Sequence, residues 1–280
     1  MEIINWLNTE DERKDAAVLL MPRLDYESQL IAVIGLLDSH RQAEMEIEAT
    51  IKKMESLARR TSGEHAVDMW IENVHQSIYQ DAAHSMAAVG MIAPLIESVF
   101  DHTFQEVGRL TIGLPPLTTH YRLQNVNRRT WDCHWVLNKD GEWTKSLVKG
   151  MVQLIDATDL KAHLPNALAA KLTPTLSALF AYRNMMFHCG FEWPIKEREK
   201  FQSELTTSGW PTDWFSKSET DNRPWMFYMS QTFIDHCLTM SAEIIGAIGG
   251  FCLERANDGS LRVGGSEPVP AWMKEIEDLS

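Results

Sequence analysis

Apolar residues recur every three or four positions along most of this chain, which is the spacing of one face of an α-helix. The first clear run, with Leu30, Ile34 and Leu37 near its start, predicts a long helix from about residue 25 to residue 59. Residues 1–24 precede it as a short helix or arm that a proline closes.

A second long helix is predicted after Thr61–Glu64, a stretch that combines a glycine turn with a capping-box pattern. Its apolar positions at helical spacing are Val67, Ile71, Val74, Ile78, Met86 and Val89. Gly90 and Pro94 then predict a kink or break, because proline removes a helical hydrogen bond, before the helix resumes to about Val107.

Residues 108–143 interrupt the helical pattern. Leu114–Pro116 cannot be helical, and two segments that contain tryptophan, residues 131–137 and 142–143, flank the turn sequence Asn138–Gly141. This arrangement predicts a β-hairpin insert. Alternation along its first strand places four residues on one face: Trp131, Cys133, Trp135 and Leu137.

Helical spacing returns after the insert. We predict helices over residues 144–160 and 166–188, a polar, tryptophan-bearing connection, and a final helix over about residues 224–255. Residues 257–280 form an acidic tail punctuated by glycine and proline. The pattern therefore predicts an all-α fold, an elongated helical bundle of five or more helices with a small β-hairpin insert, in one domain of residues 1–280.

The charge of the chain restricts how it can contact nucleic acid. The net charge is -13 and the pI is about 5.2, so any RNA contact must be local. The insert concentrates basic, aromatic and amide side chains, namely Arg109, Arg122, Arg128, Arg129, Tyr121, Asn125 and Asn127. Such a mixture suits single-stranded RNA, with Arg122, Arg128 and Arg129 as the RNA-binding residues. Alternatively, these arginines pair with the acidic helices.

Several features bear on location and cofactors. The chain does not open with a signal-peptide pattern, and its longest apolar run, residues 242–253, is too short to cross a membrane. A cytoplasmic protein is therefore predicted. The four cysteines lack paired spacing, which argues against structural zinc. Glu72 and His75 match half of a di-iron motif whose second half is missing, so no metal or other cofactor is predicted.

The helix over residues 166–188 carries an unusual group of polar residues near its end. Its apolar stripe comprises Leu172, Leu176, Leu179, Phe180 and Phe187. Arg183 lies in that stripe, and Asn184 and His188, four residues apart, share a face. Burying three such groups without partners costs several kcal/mol. The face is therefore expected to line a pocket or a subunit interface.

The segment Tyr182–Gly190, YRNMMFHCG, resembles the Arg-Asn-x-x-x-His signature of the HEPN superfamily, and the resemblance extends over residues 144–256. It implies an all-helical homodimer that acts as a metal-independent endoribonuclease, as in toxin, phage-defence or RNA-processing systems. Arg183, Asn184 and His188 would be catalytic, and Tyr182 would contact RNA. A toxin would also have a cognate antitoxin as partner. The chain contains two further Arg–His pairs, Arg60–His65 and Arg129–His134.

RNA cleavage without metal uses the ribose 2'-OH as nucleophile, so the protein must move protons and stabilise the charge on phosphorus. His188 suits the first task and Arg183 the second. On a straight helix these two residues lie about 140° apart, so either the helix ends between them or a second subunit completes the site. Two alternatives remain: an inactive HEPN-like interaction module, and a nucleotide- or small-molecule-binding bundle with a pocket in residues 193–225.

Overall fold

The computed structural model describes residues 2–7, 11–61 and 64–262. About 70% of the protein is helical, and within those ranges the strands form two small antiparallel pairs. The predicted all-α class with a small hairpin is confirmed. Residues 62–63 of the predicted turn, the side chains of Arg60 and His65, and the predicted tail from residue 263 onward lie outside the described part.

The elements follow one another along the chain in a largely helical order. They are α1 (Glu2–Leu7), α2 (Glu12–Leu20), α3 (Tyr26–Thr61), α4 (Glu64–Leu110), α5 (Tyr121–Gln124), β1 (Trp135–Leu137), β2 (Trp143–Lys145), α6 (Leu147–Thr158), a 3-10 turn (Leu160–His163), α7 (Asn166–Cys189), α8 (Ile195–Thr207), β3 (Phe215–Thr220), β4 (Arg223–Met229) and α9 (Gln231–Asn257).

The longest elements are α3, with 36 residues, and α4, with 47 residues, which pack against each other. At 1.5 Å per residue, α4 is roughly 70 Å long. It runs through Gly90 and Pro94 without interruption, so the predicted break is wrong. Pro94 lies on the exposed side of the helix, where water can bond the carbonyl that the proline leaves free, while its neighbours Ala93 and Leu95 are buried.

The core lies where the second half of α4 meets α7 and α9, with α2 packed along α9. Ile92, Ile96 and Phe100 face inward from α4, as do Leu176 from α7 and Ile248 from α9. Two helices, α9 and the part of α4 from Asp68 onward, are long and apolar enough to cross a membrane. More than half of each apolar window is buried inside the fold, which accounts for that composition.

The first hairpin occurs where the sequence predicts it, although it is shorter. β1 pairs with β2 in a register that sets Leu137 opposite Trp143, and Gly141 adopts a positive φ of 87° in the turn. Cys133 and Leu137 are fully buried, as expected for residues on one face, but Cys133 precedes the paired strand. The predicted inward face therefore forms partly from irregular chain.

The region between α7 and α9 differs from the prediction. The expected polar connection contains α8 and a second hairpin, and Pro224 lies in β4 rather than at the start of the last helix. Asp221 and Asn222, with φ of 53° and 60°, form the two-residue hairpin turn. α9 begins later because the Ser230 side chain caps it, accepting a hydrogen bond from the Phe233 N–H at 3.1 Å.

Candidate functional site

The polar group predicted on α7 lies at the exposed C-terminal end of that helix. Tyr182 and Met186 point into the core, whereas Asn184 and His188 are exposed and Arg183 is half-buried. The rest of the same chain therefore does not cover this face, and its expected role at a pocket or a subunit interface stays a prediction. The reason is geometric, because the last turns of α7 present their outer side beyond the cover of the neighbouring helices.

Phe187 shows most clearly that this end is uncovered. It was expected in the buried stripe, but 55% of it is exposed. Its ring rests against α4 at Gly90, where an added Cβ would lie 3.2 Å from the ring. The Arg183 guanidinium lies 6.0 Å from the centre of the same ring, and its Nη1 is 3.5 Å from Asn184 Oδ1. Within the described residues, no carboxylate pairs with Arg183 at the distance of a salt bridge.

α7 continues to Cys189, so the helix does not end between Arg183 and His188. The two side chains consequently leave the helix about 140° apart. A single copy of the chain presents an arginine and a histidine on different sides of one helix end. Of the two routes to a joint site that the sequence allowed, only the second subunit is compatible with this geometry.

Tyr182 cannot contact RNA in this fold. It is fully buried among Trp193, Phe201 and Phe215, and its hydroxyl donates a hydrogen bond to the Phe227 carbonyl at 3.0 Å. Burial raises the pKa of its phenol. Tyr182 anchors α7 to the second hairpin, so its assignment as an RNA-binding residue is wrong.

Arg122 is also buried, and its assignment to RNA is wrong for the same reason. Its guanidinium donates five hydrogen bonds, to the carbonyls of Arg129, Thr130, Asp132 and Trp135 and to Gln153 Oε1, at 2.6–3.2 Å. Burial lowers its pKa to about 10. Its partners are backbone carbonyls of the insert and the Gln153 side chain of α6, so the alternative of pairing with acidic helices does not hold for Arg122 either.

Arg128 and Arg129 remain accessible. Arg128 is exposed, and Arg129 is half-buried with its guanidinium 3.9 Å from the centre of the Trp135 ring. A stacked arginine beside an exposed one offers both a flat surface and a positive charge. These two residues keep the features for which the insert was predicted to contact RNA.

A second polar cluster joins the insert to α4. His134 lies between two carboxylates, with Nε2 2.9 Å from Glu97 Oε1 and Nδ1 2.9 Å from Asp132 Oδ1. Burial alone would lower the pKa of His134, but these two hydrogen bonds outweigh it and raise that pKa. Cys133 Sγ is 3.8 Å from His134 Nδ1 and 3.8 Å from Asp101 Oδ1.

This cluster is not a thiol nucleophile with its base. Cys133 is fully buried, and burial together with Asp101 raises the pKa of its thiol. A reactive cysteine needs the opposite conditions, access and a lowered pKa. The Arg129–His134 pair also fails as a ribonuclease motif, because the histidine is held by carboxylates and the arginine lies on Trp135.

Sequence reasoning missed this cluster, although a signal was present. Glu97 and Asp101 are four residues apart and share a face of α4, and Asp132, Cys133 and His134 are consecutive. Neither half is informative alone, because charged residues spaced along a helix usually face solvent. The fold was needed to bring the two halves together.

An open cavity of about 600 Å³ lies between α4, α8 and the second hairpin. His75, Arg198, Arg223 and Trp225 contribute to its lining. Arg198 is already engaged, because it donates hydrogen bonds to the carbonyls of Trp193 and Pro224. Of the tryptophans expected to line a pocket here, Trp225 does so. Others in that segment, Trp193, Trp210 and Trp214, are buried in the aromatic core.

No protein-family model, no curated protein and no solved structure matches this chain. The HEPN resemblance therefore rests on the motif in α7.

Proposed function

We propose that the protein is a metal-independent endoribonuclease of the HEPN type, active as a cytoplasmic homodimer. The observation that carries this proposal is the accessible Arg183–Asn184–His188 group at the end of an uninterrupted α7. Accessible arginine and histidine side chains on different sides of one helix suit a site that two copies of that helix build together.

The exposed aromatic ring of Phe187 supports the dimer. A ring of this size left 55% exposed beside the motif is an apolar surface that a second α7 can cover. Two-fold symmetry would bring Arg183 of one chain towards His188 of the other, and it would place both copies of these groups in one cleft.

The chemistry follows from the side chains. A neutral His188 accepts the proton of the ribose 2'-OH as the 2'-oxygen attacks phosphorus, and a protonated His188 of the partner chain donates a proton to the leaving 5'-oxygen. Arg183 binds the phosphate oxygens through its planar fork while negative charge develops on them. Asn184 orients the phosphate by hydrogen bonding. The products are a 2',3'-cyclic phosphate and a free 5'-hydroxyl.

RNA cleavage by the purified protein in EDTA tests this proposal, on samples whose far-ultraviolet circular dichroism is unchanged by the chelator. His188→Ala should lower the rate by about 10²- to 10⁴-fold, and Arg183→Ala by about 10²- to 10³-fold. His75→Ala, which changes an exposed histidine on α4, is the matched control and should retain the wild-type rate. Cleavage of DNA, or activity that only divalent metal restores to a folded sample, would refute attack by the 2'-OH.

RNA binding by the insert is tested separately, because its failure would leave the cleavage chemistry intact. Arg128→Ala and Arg129→Ala should each weaken RNA binding. Each should also reduce the slope of log affinity against log salt concentration by about one. Binding that keeps the wild-type affinity and salt dependence in both variants would assign RNA contact to another surface.

The cavity beside Trp225 favours one rival function, the binding of a nucleotide or other small anion between an aromatic ring and Arg223. Stabilisation of the protein against heat by nucleotides, lost in Trp225→Ala, would support that rival. A stable dimer that cuts no RNA would instead support an inactive interaction module, and a cognate antitoxin would then have no activity to inhibit.

A further inference from the structure

We propose that Asp101, Cys133 and His134 bind one Zn²⁺ ion that ties the insert to α4. Each of the three side chains offers one ligand atom, and these three atoms all lie within 4.8 Å of one another. The site is separate from the proposed ribonuclease chemistry and does not depend on it.

The spacing of the three atoms fits tetrahedral zinc. With Zn–S of about 2.3 Å and Zn–N or Zn–O of about 2.0 Å, tetrahedral angles place sulfur roughly 3.5 Å from each lighter ligand. Cys133 Sγ lies 3.8 Å from both Asp101 Oδ1 and His134 Nδ1. Sulfur needs to move by only a few tenths of an ångström, whereas the carboxylate and imidazole ligand atoms, which lie within 4.8 Å, must come to about 3.3 Å of each other.

The set of donor atoms selects zinc over other common cations. One thiolate, one imidazole and one carboxylate form a mixed, borderline-soft set, whereas Ca²⁺ and Mg²⁺ prefer oxygen ligands alone. Asp132 Oδ1, 2.9 Å from His134 Nδ1, can supply the fourth ligand. When the ion binds, the protons on the Cys133 sulfur and on His134 Nδ1 pass to solvent.

An outer partner already holds the histidine in the orientation that a metal needs. Metal-bound histidines typically donate their second ring N–H to a carboxylate or a carbonyl. His134 Nε2 is 2.9 Å from Glu97 Oε1, which leaves Nδ1 towards the thiol. Glu97, Asp101 and Asp132 also surround the site with negative charge, to which a divalent cation is complementary.

The backbone at the site is fixed from two sides, so the ligands are held in place before the ion binds. Arg122 binds the carbonyls on either side of Cys133, those of Asp132 and Trp135 among them. On the opposite side α6 approaches at Gly150, where a Cβ would lie only 2.1 Å from the Cys133 carbonyl oxygen. The absence of paired cysteines led the sequence analysis away from zinc, but a single cysteine suffices when the fold supplies the other ligands.

Metal titration of the full-length protein, reduced and stripped by a chelator, tests the proposal. We expect one Zn²⁺ per chain in competition with a chromophoric chelator, and a rise in the melting temperature when Zn²⁺ is added. Co²⁺ in place of Zn²⁺ should give the visible spectrum of a tetrahedral ion with a thiolate charge-transfer band. This last measurement uses the wild-type chain and needs no variant to fold.

Variants identify the ligands. Glu97→Gln should weaken Zn²⁺ binding by about 10- to 100-fold, as expected for an outer partner of a ligand. Cys133→Ser, His134→Gln and Asp101→Asn should lose more, and Cys133→Ser should lose the charge-transfer band. Cys252→Ser and His163→Gln, a buried cysteine and a half-buried histidine elsewhere, are matched controls that should bind as the wild type does. Absence of saturable Zn²⁺ binding, a Co²⁺ spectrum without a thiolate band, or wild-type affinity in Cys133→Ser would overturn the proposal.

Discussion

Replacing Arg122 by methionine tests whether one buried side chain organises the insert. Methionine keeps most of the length of the side chain and removes the guanidinium. Five acceptors, four of them backbone carbonyls, then each lose a hydrogen bond. Three of them keep a second donor, because Gln153 Oε1 also accepts from the Leu137 N–H, and the carbonyls of Arg129 and Asp132 also accept from the N–H groups of Asp132 and Trp135. The acceptors stay buried when the arginine is removed. The substitution therefore measures the free-energy cost of acceptors that have lost hydrogen bonds, because it removes the donor and not the acceptors.

Two opposing effects set the expected magnitude. A hydrogen bond lost from a buried acceptor costs about 1–3 kcal/mol, and less where a second donor remains, so the five together cost about 5–8 kcal/mol. Against this, burial lowers the pKa of Arg122 from 12.5 to about 10, and removal of the buried charge recovers about 3 kcal/mol at 1.36 kcal/mol per pKa unit. Loss of the acceptors is the larger effect, and the free energy of unfolding should fall by about 2–5 kcal/mol.

Urea unfolding followed by circular dichroism measures this difference. Arg128→Met, at an exposed arginine six residues later, is the matched control and should change the free energy of unfolding by less than about 0.5 kcal/mol. Arg122→Lys should behave nearly like Arg122→Met, because an ammonium group cannot donate in five directions. If Arg122→Met unfolds at the same urea concentration as Arg128→Met, the guanidinium does not organise the insert.

Three further predictions concern Asp81 on α4, the dimer, and the contact of Arg183 with phosphate. Burial, and after it a hydrogen bond with Glu44, raises the pKa of Asp81 from 3.8 to about 7. Because the folded protein binds the carboxyl proton more tightly than the unfolded chain does, the free energy of unfolding should fall as pH rises from about 4 to about 7. Unfolding titrations at several pH values should show a weaker pH dependence in Asp81→Asn. Parallel pH profiles for wild type and variant would contradict this. Phe187→Asp should convert a dimer into a monomer in light scattering at micromolar concentration, and a monomeric wild type would remove the basis of the dimer. Arg183→Lys should cleave RNA about as poorly as Arg183→Ala, because an ammonium group cannot bind two phosphate oxygens through a planar fork. Near-wild-type cleavage by the lysine variant would contradict bidentate binding of phosphate by Arg183.

Periodicity was sufficient to predict the elements that have a strong apolar stripe. The bounds of α3, the end of α4, most of α7 and the end of α9 agree with it within a few residues. α8 was missed because only Phe201 is fully buried along its length, so the sequence there is polar in every direction. Helices of this kind owe their stability to a few anchors that a stripe does not reveal.

The second hairpin was missed for a different reason. Its strands carry a proline and several aromatic residues, and the large apolar side chains Met226 and Phe227 are both buried although neighbours on a strand point to opposite faces. Such a strand is covered on both sides and does not alternate. The Asp221–Asn222 turn was the available signal.

The candidate site was predicted only in part because sequence spacing does not give exposure. Residue types and the common face of Asn184 and His188 follow from helix geometry alone. The exposure of Phe187 depends on how far the contact between α4 and α7 extends along α7. The partners of Arg122, RNA or backbone carbonyls, depend on how the insert folds back on itself. Both are properties of tertiary packing.

Because α3 and α4 are so long, their outer parts extend beyond the core, and the two regions should unfold at different free energies. Along residues 38–56 and 68–81 none of the side chains is fully buried, whereas residues 82–110 of α4 carry much of the core. Separating the outer parts of the two helices therefore exposes little apolar surface and breaks few contacts beyond the pair itself. Amide protons there should exchange with solvent through local opening, at a lower free energy than those of the core. One continuous helix thus joins a part of the molecule that opens readily to a part that opens only on global unfolding.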